Sequence, residues 1–333
     1  MNLRSRLVRY DELVPCLNAF IDARSPGSDR KENFTIIGPG VAENPEQHVH
    51  ITLPHGFNIG GARQPPGCLN SQHSHLTNEV FLVHSGTWAF RSGVDASDGE
   101  IVLREGDVIS LPTGVFRGFE NVGDDVGYLY AILGRDDPGR VLWAPQVFDL
   151  AEKHGLVLLE DGSLVDTTLG QKVPAGKRPM PRTTAEQVAA HRVISSGELE
   201  GIVIRAGNYT WRRDTALSGF PGVEEAALLG PASAAEGLPA GSLPWPHEFV
   251  LRALRLQLDA HVPAHRRAEE EVVFVLRGAL GVEVDGEHIE LRRGDTFTTP
   301  IGSARSFRNA GTEPCVAFFT RRGDRPAKPD FSA

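Results

Sequence analysis

From residue 47 onward, apolar residues recur at alternate positions in short runs, and Gly and Pro separate the runs. The alternation predicts strands at 80–83, 87–91, 100–104, 108–111 and 127–133, with candidates at 47–53 and 57–63, the second softened by Gly60 and Gly61. Short strands punctuated in this way predict an all-β barrel or jelly roll. Upstream, residues 7–20 have the spacing of a short amphipathic helix that Pro15 interrupts. Between 136 and 200 the alternation breaks: 146–154 reads as a helix, and 164–182 reads as a Gly-, Pro- and Lys/Arg-rich surface connector. Strand-like segments return at 201–205 and 208–212, a loop fills 231–246, and a second β run covers 249–319. The expected organisation is a lead-in (1–45), a first barrel (46–135), a connector with short helices (136–200), a second barrel (201–320) and a peripheral tail (321–333).

The two β runs are copies of one pattern. The first reads His73-x-His75-x3-Glu79-x6-Gly86, then Gly106-Asp107-x4-Pro112-x-Gly114-x2-Arg117-x3-Asn121. The second reads His265-x-Arg267-x3-Glu271-x6-Gly278, then Gly294-Asp295-x4-Pro300-x-Gly302-x2-Arg305-x3-Asn309. The copies are offset by 192 residues in the first block and 188 in the second. A longer hairpin around 92–99 in the first copy accounts for the difference.

In a strand, residues i and i+2 share a face, so His73 and His75 point together, and Glu79 joins them if the strand stays regular. Two imidazoles and a carboxylate on one face suit a divalent metal and leave coordination positions open. The alternative is a relic site with Glu79 paired to Arg117 and the histidines packed. Arg117 cannot ligate a metal. It either anchors an anionic substrate, pairs with Glu79, or points to solvent. In the second copy, Arg267 and Arg305 leave too few ligands for a metal. They are expected to surround Glu271 with fixed charge, or to hold a small anion. His48 and His50 also alternate but lack a carboxylate, which favours packing or surface. His84 is an odd step from Glu79 and should face away.

These blocks resemble the two signature motifs of the cupin superfamily. The first copy matches both except that Arg117 stands in the place of the family's later histidine, and the second departs further at Arg267 and Arg305. The resemblance implies a bicupin: two jelly-roll barrels with a few peripheral helices, the site in the first. It also suggests a cupin-type dioxygenase of the gentisate/salicylate or quercetin kind. Such an enzyme would hold Fe(II), with Mn, Ni or Zn as alternatives, and act with O2 on a small aromatic or chelating anionic substrate that Arg117 neutralises. The ring-cleaving enzymes use three histidines without the motif glutamate, so the substrate class rests on analogy. A metal-dependent lyase, isomerase or hydrolase acting without O2, and a non-catalytic small-molecule-binding bicupin, are the other readings.

Composition narrows the partners. The formal charge of −9 argues against general nucleic-acid binding. Cys16, Cys68 and Cys315 form neither a disulfide framework nor a zinc-finger spacing, which suits a reducing cytoplasm. No stretch has the length and apolarity of a membrane span or a signal peptide. A homo-dimer is the default expectation.

Overall fold

The computed structural model describes residues 3–332. The chain divides into two compact units. One comprises Val14–Thr52 and Asn58–Val203. The other takes the residues up to Leu13, Leu53–Phe57, and the chain from Ile204 onward.

Besides a two-stranded sheet, Leu156–Leu158 with Leu164–Asp166, the first unit has two large ones. One orders Val108–Leu111, Glu79–Ser85, Gly127–Gly134, Phe57–Gln64, Glu32–Ile37 and Val49–Ile51 as neighbours. The other orders Leu142–Trp143, Leu69–Ser74, Arg117–Asn121, Trp88–Ser92 and Gly99–Leu103. Inward residues of the alternating pattern meet in one core, where Phe81, Phe90 and Phe119 pack with ring centroids 5.2–5.5 Å apart. The second unit repeats the plan. Thr296–Thr299, Glu271–Arg277, Cys315–Arg322, Phe249–Leu256 and Val223–Leu229 are consecutive neighbours in one sheet, and His261–His265, Arg305–Asn309, Ala279–Val284 and Glu287–Arg292 in the other. Val273, Leu280, Phe297, Phe307 and Phe319 fill its core.

The hairpin accounts for the difference in offsets. In the first unit Ser92 pairs with Gly99 across a six-residue loop. In the second, Val284 pairs with Glu287 across Asp285-Gly286, both with positive φ, the two-residue turn that Asp-Gly favours. The four-residue excess is the difference between the offsets of 192 and 188. The glycine that closes each first block is fixed by close approach. A Cβ on Gly86 would lie 2.7 Å from the Cα of Gly127, and one on Gly278 would lie 3.0 Å from the Cα of Cys315.

Several local expectations change. No helix spans 7–20: 3-10 turns at Leu3–Arg6 and Tyr10–Glu12 flank the strand Leu7–Val8, which pairs with Thr296 and Phe297. Non-local pairing overrides the weak helical spacing there. Glu32–Ile37, within the expected lead-in, is a strand of the first unit. The expected strands at 201–212 reduce to Val203–Ile204 and a 3-10 turn at Ala206–Asn208, and the outer strand of the second unit is Val223–Leu229. The helix read at 146–154 is Pro145–Lys153, with Pro145 in its first turn. Two five-residue helices, Ala185–Ala189 and Ser196–Glu200, start from capping boxes at Thr184/Gln187 and Ser195/Glu198. Arg321, read as the start of a peripheral tail, is wholly buried in the strand Cys315–Arg322. Among the described residues no helix is long and apolar enough to cross a membrane.

Candidate functional site

His73 lies in the strand Leu69–Ser74, His75 just beyond it, and Glu79 at the start of Glu79–Ser85. Arg117 opens its own strand directly across the register from His73. One donor atom from each of His73, His75 and Glu79 lies within 4.8 Å of the others, the one such group found among the described residues. The sequence pattern is thus realised in space, although Glu79 reaches the histidines from the next strand rather than from the same one.

The donor chemistry is specific. Nδ1 of His73 lies 2.7 Å from the Ser71 carbonyl. A carbonyl can only accept, so Nδ1 carries the proton and Nε2 keeps its lone pair. The buried Nδ1 of His75 has no hydrogen-bond partner. Burial, reinforced by Arg117, lowers the His73 pKa to about 3 and holds His75 well below its ordinary value, so both rings are neutral and able to ligate. Arg117 donates from Nη2 to Oε2 of Glu79 at 2.8 Å. Even so, burial raises the Glu79 carboxyl above its usual value; the one guanidinium offsets only part of the desolvation. Unused nitrogen lone pairs beside an under-compensated carboxylate form a set that fits a divalent cation. Of the three placements open to Arg117, the structure has the pairing with Glu79, and Arg117 is not among the residues lining the adjoining cavity.

That cavity, of about 80 Å³, has mostly apolar walls. Phe34, Phe81, Phe119 and Leu133 line it, and Asn33, Thr35, Gln47 and Asn70 add polar groups. Gly60 and Ala62 present almost no side chain to it, whereas at Gly61 the Tyr128 ring takes the place a side chain would need. Much of the wall, from Cys16 to Ala42, comes from the segment expected to be a lead-in. Its contribution follows from strand pairing, for which the sequence carries no spacing signal. The Gly-Gly-Ala run was the available clue.

Behind His73 lies a second missed layer. Asp22 and Lys31 form an ion pair with both side chains fully buried. Asp22 also accepts the Ser71 amide at 3.0 Å, and Lys31 donates to Oδ1 of Asn70 at 2.9 Å. Together they fix the backbone that orients His73. The Trp143 ring packs 5.4 Å from His73, and its Nε1 donates to Oε1 of Glu43 at 2.6 Å. Glu43 also accepts from the Ile21 amide at 2.8 Å. Burial pushes its carboxyl up to about 8 despite both hydrogen bonds.

The other histidines lie elsewhere. His48 is exposed, and its ring packs 4.5 Å from that of His50. His50 accepts from the Val14 amide and faces the Thr35 carbonyl. His84 packs against Tyr128, away from the donor group.

The cupin domain family model matches residues 62–133 and 254–321, one segment in each β unit. Among solved structures, the formate complex of Lactobacillus farciminis oxalate decarboxylase superposes with a TM-score of 0.56 at 11% identity, covering 98% of this chain and 88% of that one. Bacillus subtilis oxalate decarboxylase gives 0.56 at 11% identity in a mutant lacking residues 162–163, covering 97% and 78%. A study of Mn(II) centres in the same enzyme gives 0.54 at 11%, covering 96% and 78%. At this identity the likeness describes the fold. Comparison with curated protein sequences finds no match.

Proposed function

Because this chain is a bicupin, built on two copies of the cupin domain, we propose that its first barrel holds one divalent metal on His73, His75 and Glu79 and cleaves a small carboxylate substrate without consuming O2. The observation that carries this reading is the convergence of two neutral imidazoles and an under-compensated carboxylate within 4.8 Å beside a small, mostly apolar cavity. The oxalate decarboxylase neighbours support the lyase class, and the Mn(II) centres of one of them make Mn(II) the first ion to test.

A bound divalent ion would supply Lewis-acid polarisation of a substrate oxygen. The remaining roles belong to the chain. Ser71 and Trp143 hold the His73 ring in one orientation and tautomer. Arg117 favours the ionised form of Glu79 through Oε2 and leaves Oε1 without a hydrogen bond, free to ligate. The phenyl walls lower the local polarity beside the donor group, which strengthens charge interactions there. Asn33, Thr35, Gln47 and Asn70 supply the polar contacts that orient a small anion. A cavity of about 80 Å³ suits a substrate of a few heavy atoms better than a substituted ring.

The same donor set also suits non-haem Fe(II), which keeps an oxygenase acting with O2 as the second reading. The decisive experiment measures metal per chain in protein purified without chelator or affinity tag, then CO2 release and O2 uptake with small mono- and dicarboxylates. The expected result is one bound ion, lost in His73→Ala, with CO2 released and no O2 consumed. Substrate-dependent O2 uptake would replace the lyase reading with the oxygenase. A chain that takes no metal under any loading condition would remove both.

A further inference from the structure

The cavity beside the donor group has one charged side chain in its wall, and that is Glu79 itself. Among the described residues no lysine or arginine lines it. The buried cations closest in the network are committed: Arg117 donates to Glu79, and Lys31 is paired with Asp22. His73 and His75 are neutral. A metal held on His73, His75 and Glu79 would therefore be the one cation that a bound anion meets, at one end of the cavity. A second carboxylate farther along would lie against Phe34, Phe81 and Phe119 without a counter-charge, a placement that costs more than it returns.

The neutral polar groups of the wall are mostly engaged within the chain. Oγ1 of Thr35 donates to Oε1 of Gln47, whose Nε2 donates to the Pro39 carbonyl at 2.8 Å. Oδ1 of Asn70 accepts from Lys31 at 2.9 Å. Asn33 differs: its Nδ2 is buried and has no hydrogen-bond partner. Asn33 and Thr35 alternate on the strand Glu32–Ile37, which turns both toward the cavity they line. The backbone of Asn33 is held from both sides. The Cys16 amide donates to its carbonyl at 2.8 Å and its own amide donates to the Cys16 carbonyl at 3.4 Å, while Ala62 pairs with it on the other side. A donor fixed in this way in an apolar wall can take one ligand oxygen at little cost in ordering.

We propose that the first barrel selects a short monocarboxylate with an apolar body and an uncharged oxygen, hydroxyl or carbonyl, at its far end, and that Asn33 is the specificity-determining residue that binds this oxygen. A second carboxylate at that end is rejected for want of a cation. The inference rests on the metal reading of His73, His75 and Glu79 and narrows the substrate class of that same site.

The test uses the full chain loaded with Mn(II) and three straight-chain acids that differ only at the far end: butyrate with a methyl group, γ-hydroxybutyrate with a hydroxyl and succinate with a carboxylate. Broadening of their proton resonances by the paramagnetic ion gives each Kd without relying on turnover. γ-Hydroxybutyrate should bind about tenfold tighter than butyrate, the worth of one buried hydrogen bond, and succinate about tenfold weaker or worse. Asn33→Leu should keep its metal, lose the preference for the hydroxyl acid and still discriminate against succinate. If Asn33→Leu does not fold, the order of the three acids on the unsubstituted chain decides alone. Succinate binding as tightly as butyrate, no gain from the hydroxyl, or a gain that survives Asn33→Leu would overturn the inference and leave the metal reading standing. A chain that takes up no metal fails before any acid is added, and removes that reading and this inference together.

Discussion

The two barrels place a glutamate at the same point of one fold and treat it in opposite ways. In the first, Glu79 pairs across the register with Leu133 and meets one guanidinium. In the second, Glu271 pairs with Arg321, and Arg267 and Arg305 add their charges. Burial raises the Glu79 carboxyl, whereas these arginines hold the Glu271 carboxyl far below the usual carboxylate range. The space around the two groups differs for the same reason. Gly60 and Leu133 line the open cavity, while the matching positions in the second copy are Arg252 and Arg321. One barrel has a carboxylate short of positive charge beside a cavity; the other supplies the cations from its own chain. The duplicated fold thus separates a site suited to an exchangeable cation from a site with built-in ones.

The largest expected effect tests the built-in side. Glu271→Gln takes from Arg321 its carboxylate at 2.6 Å and from Arg267 the one at 3.8 Å, leaving Glu236 as the carboxylate still in reach of both, and should cost about 3–5 kcal/mol, the range for breaking a buried ion pair. Glu79→Gln in metal-free protein also leaves a buried guanidinium, Arg117, without its carboxylate, but should cost less, about 2–3 kcal/mol, because burial already opposes ionisation of the Glu79 carboxyl. Urea unfolding of the two variants checks both values. Equal costs would break the contrast between the barrels.

Next comes a transplant. Leu133→Arg puts into the first barrel the residue that Arg321 provides in the second. The new guanidinium should reach Glu79, take up the carboxylate and fill the cavity, lowering metal affinity by about 100-fold or more, the cost of about 3 kcal/mol. Metal titration with circular dichroism as a fold control measures this. Metal binding that survives the change would mean that Glu79 is not a ligand.

The pH response should also split. Glu43 has a folded-state pKa raised to about 8, so between its unfolded value and about pH 8 the folded chain binds more protons than the unfolded one. Its contribution is therefore fully present in mild acid and is lost as pH rises to about 8. Glu271 is depressed, so its contribution is present above the unfolded pKa and is lost only as pH falls below that value toward the lower folded one. Glu43→Gln should flatten the stability–pH profile between the unfolded carboxyl value and about pH 8 and leave the limb at lower pH in place. An unchanged slope in that window would remove Glu43 as its source.

How much of this was legible in the sequence depends on whether the signal was local. The motif glycines, the paired histidines and Glu79 stand at fixed spacings, and they led to the fold and to the donor group. Val223–Leu229 was missed because Val-Glu-Glu-Ala-Ala-Leu-Leu has the composition of a helix, and only its pairing with Phe249–Leu256 makes it a strand. The cavity wall from 16 to 47 and the Asp22–Lys31 pair were missed for the same reason: their partners are remote in sequence. Arg321 looked like the start of a polar tail because burial of a charge is not readable without its counter-charge.

The smallest effect concerns the turn that opens each first block. Gly67 has φ +70°, and in the second copy Asp259 holds φ +62° at the matching position. A Cβ on Gly67 would meet nothing within 4 Å, so Gly67→Ala should cost about 1 kcal/mol through backbone conformation alone, without a clash. Asp259→Gly removes that conformational penalty but also frees the unfolded chain, and the two terms oppose. Its net effect should stay within about 0.5 kcal/mol, measurable as a shift in the urea midpoint. A large loss on Asp259→Gly would show that the aspartate side chain, rather than the left-handed backbone, maintains this turn in the second barrel, and that the two copies hold their first blocks by different means.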